Sequence, residues 1–293
     1  MELRQLKYFL KAKEELNFTV AAKILNISQS TLSQQIKQLE IELNVPLFNR
    51  IGKRIILTEA GNMFSEYAME SLNKANEGLL LLKDLNNLIT GELIIGVVYS
   101  MRIIFAKALA DFAVQYSNIK IQVVFGTTKD LLEKLNSHLF DFVLTFHEGL
   151  EHPHLKYQKL LSSNMVLVAS KKSTIANKKS ILLEEVAQLP LALPFSGYST
   201  IQFFVDSFKQ KDLTPKICME INDIPTLFEI VKTGHWHTIL SDSSVNDKEV
   251  VGIPIEGKNM KRDIMIISLN EAYEKKAVKK FYELLLGISQ YKQ

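Results

Sequence analysis

The junction Asn26-Ile27-Ser28-Gln29-Ser30-Thr31 constrains this chain more than any other six residues. Behind it Leu32, Ile36, Leu39 and Leu43 recur at i, i+4, i+7 and i+11, one continuous apolar stripe along a helix. Such a helix buries one side only. Its other side carries Gln29, Ser33, Gln34 and Lys37, donors and acceptors with one cation, suited to base edges and phosphates in a DNA major groove.

The flanks complete a small unit. Leu3, Leu6, Phe9 and Leu10 repeat at helical spacing and predict a first helix from Leu3 to Leu16. Thr19 is positioned to cap a second, short helix in which Val20, Ala21, Ala22 and Leu25 allow close approach. Ser28 or Ser30 caps the third helix, and Pro46 stops it. The run Asn49–Leu57 then reads as two short strands around a basic, Gly-containing turn. Three helices and a hairpin make a winged helix-turn-helix over residues 1–58. Thr58 caps a long helix, about Glu59 to Ile89, with Ala60, Met63, Phe64, Tyr67, Leu72, Ala75, Leu79 and Leu82 in steps of three and four. At 1.5 Å per residue it would run roughly 45 Å. A single apolar seam of that length calls for a partner, most simply the same helix of a second copy.

Charge follows the same division. Residues 1–58 hold nine Lys and Arg against five Asp and Glu, a larger excess than the +3 of the whole 293-residue chain, so the polyanion-facing surface is at the N-terminus. The single cysteine, Cys218, has no intrachain partner, and the chain opens with the helical Glu2-Leu3-Arg4-Gln5 instead of a secretory pattern. A cytoplasmic protein is expected, with no membrane partner, since no apolar run approaches the roughly 18 to 20 residues that span a bilayer.

After Thr90-Gly91 short apolar runs alternate with amphipathic stretches. Strands are predicted at Glu92–Tyr99, Ile119–Phe125, Phe140–Thr145, Met165–Ser170, Pro190–Leu193, Ile217–Ile221, Thr238–Leu240, Val250–Ile255 and Asp263–Leu269. Helices fall at Ile103–Tyr116, Lys129–His138, Thr200–Lys211, Ile224–Lys232 and Ala272–Ile288. This alternation implies a mostly parallel α/β fold, and about 200 residues suffice for two small lobes with a cleft between them. We expect the first lobe at about 90–161 and 268–293 and the second at about 162–267.

Residues 1–90 resemble the LysR-type transcriptional regulators. The resemblance runs through Leu6, Phe9, Asn17-Phe18, Ala21-Ala22, Leu25, Ser28-Gln29, Leu32-Ser33, Ile36, Leu39-Glu40, Leu43, Leu47-Phe48, Arg50, Leu57-Thr58 and Ala60-Gly61. The family's proline after the Ser-Gln pair is replaced by Ser30, which loses a helix-starting φ restraint but still permits capping. The remainder is similar only in overall pattern, as in the Gly126 turn before a helix leading to Asp141-Phe142-Val143. The resemblance implies an N-terminal all-α winged helix-turn-helix, a linker helix at 59–89 that dimerises, and a periplasmic-binding-protein-like effector domain at 90–293. It also implies a homodimer or homotetramer on dyad-related double-stranded DNA, responding to a small molecule in the cleft.

The DNA-facing set is Ser28, Gln29, Ser30, Thr31, Ser33, Gln34 and Lys37 on the third helix, with Arg50, Lys53 and Arg54 in the wing. A polar helix face is ordinarily just solvated; directly after the junction and before a basic wing, we read this one as facing DNA. Gln29 is the best candidate for a base contact, because its amide pairs bidentately with adenine. The wing cations are suited to phosphates or the minor groove.

Effectors in open α/β sheets bind at the carboxyl edges of strands. Ser100 and Met101 after the first strand, Thr127 and Thr128 after the second, and Phe195, Ser196, Gly197 and Tyr198 before a helix place hydroxyls and N–H groups where an anion is stabilised. Helix capping accounts for any one of these segments alone; the three together point to a pocket for a small carboxylate or inorganic anion, with Phe195 and Tyr198 as walls. Trp236 is a further wall or a core residue. His235 and His237 flank it where the family often has a second glycine after Gly234, and without a further ligand nearby they are read as structural. Cys218 lacks a resolving partner for a redox switch, and Gly197-Tyr198-Ser199-Thr200-Ile201 lacks the last glycine of a nucleophile elbow. No catalytic constellation or cofactor is expected. The reading is a DNA-binding regulator modulated by a small, anionic effector; the alternative is a regulator or architectural protein without one.

Overall fold

The computed structural model describes residues 1–51, 54–85, 91–195, 199–257 and 260–290. The chain divides into two compact units, Met1–Asn87 and Leu88–Gln293.

In the first unit, helices α1 (Leu3–Glu15), α2 (Phe18–Ile24) and α3 (Gln29–Leu43) are followed by β1 (Phe48–Ile51), β2 (Arg54–Leu57) and α4 (Glu59–Leu85). Polar side chains set the starts. Asn17, not Thr19, caps α2, accepting from the amides of Thr19 at 2.9 Å and Val20 at 3.2 Å. Asparagine's short amide serves this position as well as a hydroxyl, and it lies one residue before the helix begins. Ser28 caps α3 through Thr31 N–H at 3.0 Å, so the helix starts at Gln29 without a proline. Asn26 (φ 55°) ends α2 in the left-handed region, with Ile27 N–H on the Ala22 carbonyl and Asn26 N–H on that of Lys23, which closes the helix and turns the chain toward α3. Asn44 (φ 55°) ends α3 similarly.

The core of this unit gathers Leu6, Phe9, Ala21, Leu32, Ile36, Leu39 and Leu47, all at most 2% exposed. Phe9 packs on Phe48 and Phe64 at ring separations of 5.5 and 5.4 Å, and Phe18 lies edge-on to Phe48 at 5.5 Å. One aromatic cluster thereby joins α1, α2, the wing root and α4. β1 pairs antiparallel with β2 from Phe48↔Leu57 to Ile51↔Arg54. The apolar residues of α4 do not form one seam: Phe64, Ala68 and Leu72 join this core, whereas Met63, Tyr67, Leu79 and Leu82 are exposed.

The second unit opens with β3 (Gly91–Val98), α5 (Arg102–Gln115), β4 (Ile119–Gly126), α6 (Thr128–Asn136), β5 (Phe142–Phe146) and the long β6 (Leu155–Ser170). Then come β7 (Ile181–Leu182), α7 (Leu183–Ala187), β8 (Leu191–Pro194), α8 (Ser199–Gln210), β9 (Ile217–Ile221), α9 (Ile224–Lys232), β10 (Thr238–Ser241), β11 (Val250–Glu256), β12 (Lys261–Leu269) and α10 (Lys276–Gln290).

The sheet is mixed, not mostly parallel. β3 pairs parallel with β4 and β5, and β8 with β9, but β6 runs antiparallel to β10, β11 and β12, and β12 antiparallel to β5. The departure comes from two crossover strands. β6 begins ten residues before the predicted Met165, because Lys156, Gln158, Lys159, Ser162, Ser163 and Asn164 hide its pattern. β12 returns beside it, with a bulge between Ile264 and Met265.

Two lobes result. The first is built on Leu93, Ile95, Phe105, Phe112, Phe142, Phe281 and Leu285 and already includes Ile264 to Ile267, ahead of the expected return at 268. The second packs Met165, Leu167, Leu193, Phe204, Phe208 and Ile239 on one side and Val166, Val168, Leu227 and Val231 on the other. The alternation of β6 side chains between two faces produces this pair of cores.

Candidate functional site

On α3, Leu32, Ile36 and Leu39 are buried, and the opposite face presents Gln29, Ser30, Thr31, Gln34 and Lys37 exposed, with Ser33 half-buried. Several of the candidates are organised before any ligand arrives. Gln29 Nε2 donates to Ser33 Oγ at 2.8 Å one turn on, and Ser28 Oγ lies 2.8 Å from both Ser30 Oγ and Thr31 Oγ1. Ser28 is therefore engaged as the cap, while the Gln29 amide keeps its carbonyl oxygen and one N–H for a base edge. Arg50 and Arg54 stand opposite Ile55 and Ile51 in the wing ladder, and their side chains, with all of Lys53, lie outside the described residues.

Glu40, toward the buried side of the same helix, accepts from the backbone N–H groups of Leu47 and Phe48 and so fixes the wing root to the recognition helix. At the wing's other end Thr58 donates to the Pro46 carbonyl at 2.7 Å and accepts from Gly61 N–H at 2.9 Å, capping α4.

Between the two lobes of the second unit lies a cleft with a cavity of about 30 Å³. Val98, Tyr99, Ser100, Thr127, Thr128 and Phe146 line it from the first lobe, and Pro194, Thr200, Ile224, Leu240, Ser241 and Ser244 from the second. These are the carboxyl ends of β3, β4, β5, β8 and β10 with the starts of α6, α8 and α9. Thr127 caps α6 through Asp130 N–H, and Asp223 caps α9 through Thr226 N–H, which leaves the first-turn amides of both helices directed at the cleft end of the fold. The lining mixes hydroxyls with apolar side chains, with no charged side chain among its described residues.

The hydroxyls of Thr127, Thr128 and Ser241 are engaged within the protein. Thr145 Oγ1 donates to Thr128 Oγ1 at 2.7 Å, and Ser241 Oγ donates to Ser163 Oγ at 2.6 Å. Ser100 Oγ, by contrast, is buried with no hydrogen-bond partner among the described residues.

Of the nine residues predicted for the effector, Ser100, Thr127 and Thr128 meet in this cleft. Met101 does not. It follows Ser100 in a 3-10 turn that points its side chain into the first lobe's core, fully buried. Phe195 is 52% exposed, and Trp236 is half-buried against the ring of His235 at 4.8 Å; neither lines the cleft. Ser196, Gly197 and Tyr198 lie outside the described residues. His237 is buried, its backbone bonded to Pro190 and Ala192 of the neighbouring segment, and burial holds its imidazole below the usual range. Val98, Phe146, Pro194, Ile224, Leu240, Ser241 and Ser244 line the cleft without having been expected there. Only the serine-rich run Ser241-Asp242-Ser243-Ser244, directly after a strand, offered a local signal.

A winged helix-turn-helix in one unit and a two-lobed α/β domain with an interlobe cleft in the other define a DNA-binding regulator with a ligand-binding-type domain. Residues 3–62 match the bacterial regulatory helix-turn-helix protein, lysR family, and residues 86–288 match the LysR substrate binding domain. The chain belongs to the LysR family of transcriptional regulators. It is 30% identical to a probable RuBisCO transcriptional regulator of Phaeodactylum tricornutum (strain CCAP 1055/1), over 95% of this chain and 94% of the relative. In fold it is similar to full-length CbnR complexed with its target DNA (TM-score 0.66, 23% identity, 98% and 100% of the chains). It is also similar to a full-length OxyR variant from Pseudomonas aeruginosa (TM-score 0.77, 20% identity, 97% and 94%).

Proposed function

We propose that this regulator reads DNA with Gln29, Ser30, Thr31, Ser33, Gln34 and Lys37, holds the backbone with the wing residues Arg50, Lys53 and Arg54, and is controlled by a small anion in the interlobe cleft. The observation that carries the effector assignment is the buried hydroxyl of Ser100, which has no partner among the described residues. A buried donor without a partner costs about 1–3 kcal/mol, and an acceptor entering the cleft removes that cost. Helix amides and hydroxyls, without a lining cation, suit a compact oxyanion such as sulfate or phosphate, or a short carboxylate. A cavity of about 30 Å³ exceeds the roughly 10–15 Å³ that one water needs but leaves no room for a bulky metabolite unless the lobes part.

The exposed Met63, Tyr67, Leu79 and Leu82 on α4 support a homodimer formed through this helix. A homotetramer would be two such pairs. Two recognition helices related by a dyad would then read half-sites about 34–36 Å apart or a multiple of that. No helix among the described residues is long and apolar enough to cross a membrane. The protein acts in the cytoplasm, on DNA, as a regulator and not as an enzyme. Footprinting on DNA upstream of its own gene tests the dyad: two protected major-groove patches an integral number of turns apart support it, and one isolated patch refutes it.

A further inference from the structure

We propose that Arg262 is the positioning residue that couples the effector cleft to the mutual seating of the two lobes, because its guanidinium lies against an aromatic ring from each. Its Cζ is 4.3 Å from the centroid of Phe146 and 5.6 Å from that of Phe203. Phe146 ends β5, belongs to the first lobe's core and is a wall of the cleft. Phe203 sits on α8 and packs against the second lobe's core. Arg262 itself is on the crossover strand β12 and is only 8% exposed.

The strand opposite carries a second link. Ser163 on β6 pairs with Arg262 in the crossover ladder, and its hydroxyl accepts from Ser241 Oγ at 2.6 Å and from Ser243 N–H at 3.1 Å. Ser241 lines the cleft from the second lobe. One cross-strand pair is thus tied to both cleft walls. On the first-lobe side, His147 N–H donates to the Asp263 carbonyl at 2.8 Å, and the bulge at Ile264/Met265 gives the ladder a place to bend.

A guanidinium suits this position for reasons an ammonium does not share. It is planar and weakly hydrated, and it stacks on ring faces while remaining charged. Burial lowers its pKa to about 10, opposed by the charge of Glu148, so the group is cationic at neutral pH. A cation between two rings of different lobes favours the arrangement in which both rings reach it. An effector that moves Phe146 changes that arrangement, and only unequal affinity for the two arrangements is needed to shift it. This consequence rests on the cleft being the effector site; the bridge itself does not.

Hydrogen–deuterium exchange of the full-length protein tests the bridge without a ligand. Arg262→Met keeps an unbranched apolar stem without the charged plane, and Arg262→Lys keeps charge without the plane. Both are expected to speed exchange about tenfold in the peptides covering β5 and α8, with α5 and α10 unchanged. Phe146→Leu is expected to speed exchange in α8 in the native background but to add nothing in the Arg262→Met background. Unchanged α8 exchange in Arg262→Met, an equal rise throughout the domain, or a Phe146→Leu effect that persists without Arg262 would each overturn the proposal. Failure of sulfate or phosphate to bind would refute the cleft assignment and leave this exchange pattern intact.

Discussion

Glu40 Oε1 accepts the backbone N–H groups of both Leu47, at 2.8 Å, and Phe48, at 3.1 Å, so one carboxylate on the recognition helix fixes where the wing begins. Glu40→Ala leaves both donors without that partner. A loss of about 1–3 kcal/mol in urea unfolding is expected, together with weaker DNA binding, because the wing loses its fixed offset from α3. Glu40→Gln keeps an acceptor oxygen and is expected to recover more than half of the stability. Wild-type unfolding in Glu40→Ala would show that the contact is incidental.

The two polar ends of the recognition face are expected to behave differently. Gln29→Ala should reduce discrimination at one base pair by about 1–3 kcal/mol with an unchanged salt slope. Lys37→Ala should weaken binding on all sequences alike and reduce the salt slope by about one. Anisotropy titrations across a salt series, on the operator and on single-base variants, separate the two. A Gln29→Ala protein with native base preference would remove Gln29 from direct readout.

Gly61, in the first turn of α4, is set by close approach. A Cβ there would lie 2.2 Å from the Leu47 carbonyl oxygen and 2.8 Å from Leu57 Cδ2. The carbonyl belongs to the backbone and already accepts from Thr58 N–H at 3.0 Å, so it cannot yield cheaply. Gly61→Ala is expected to cost about 1–3 kcal/mol, the range for overpacking, seen as a lower melting temperature. A neutral substitution would mean that α4 shifts freely on the wing.

His237 predicts an acid sensitivity. Burial depresses its folded pKa below the ordinary value of 6.5. The unfolded state therefore takes up the proton first as pH falls. Its contribution to stability is full above 6.5 and declines as pH drops toward and through the folded pKa. The melting temperature of the wild type should fall more between about pH 7.5 and 5.5 than that of His237→Leu. Equal slopes would place the sensitivity elsewhere.

Much of the DNA-binding unit is legible in its residues because its determinants are local. The stripe from Leu32 to Leu43, the caps at Ser28 and Thr58 and the hairpin pattern each act within a few residues. The same locality misplaced the start of α2, where Asn17 and Thr19 are both plausible caps and only the formed helix decides between them. The cleft is different. Ser100, Thr127 and Thr128 announce themselves at strand ends, but Ser241, Ser244 and Ile224 arrive through crossovers from more than 90 residues away. The crossover strands are hidden for a physical reason: residues Lys156 to Asn164 keep one side toward solvent and dilute the apolar pattern. Met101 shows the limit of a segment-based reading, since a 3-10 turn sends adjacent side chains to the cleft and to the core.

The central claim is that the interlobe cleft holds a small anion through Ser100. Isothermal titration of the full-length protein with sulfate, phosphate and short carboxylates, repeated with Ser100→Ala, tests it most directly. We expect one of these anions to bind once per chain, and Ser100→Ala to weaken it by about ten- to a hundredfold, the equivalent of the roughly 1.5–3 kcal/mol of a hydrogen bond to a charged group. Undiminished affinity in Ser100→Ala, or no binding by any of the anions, would contradict the account.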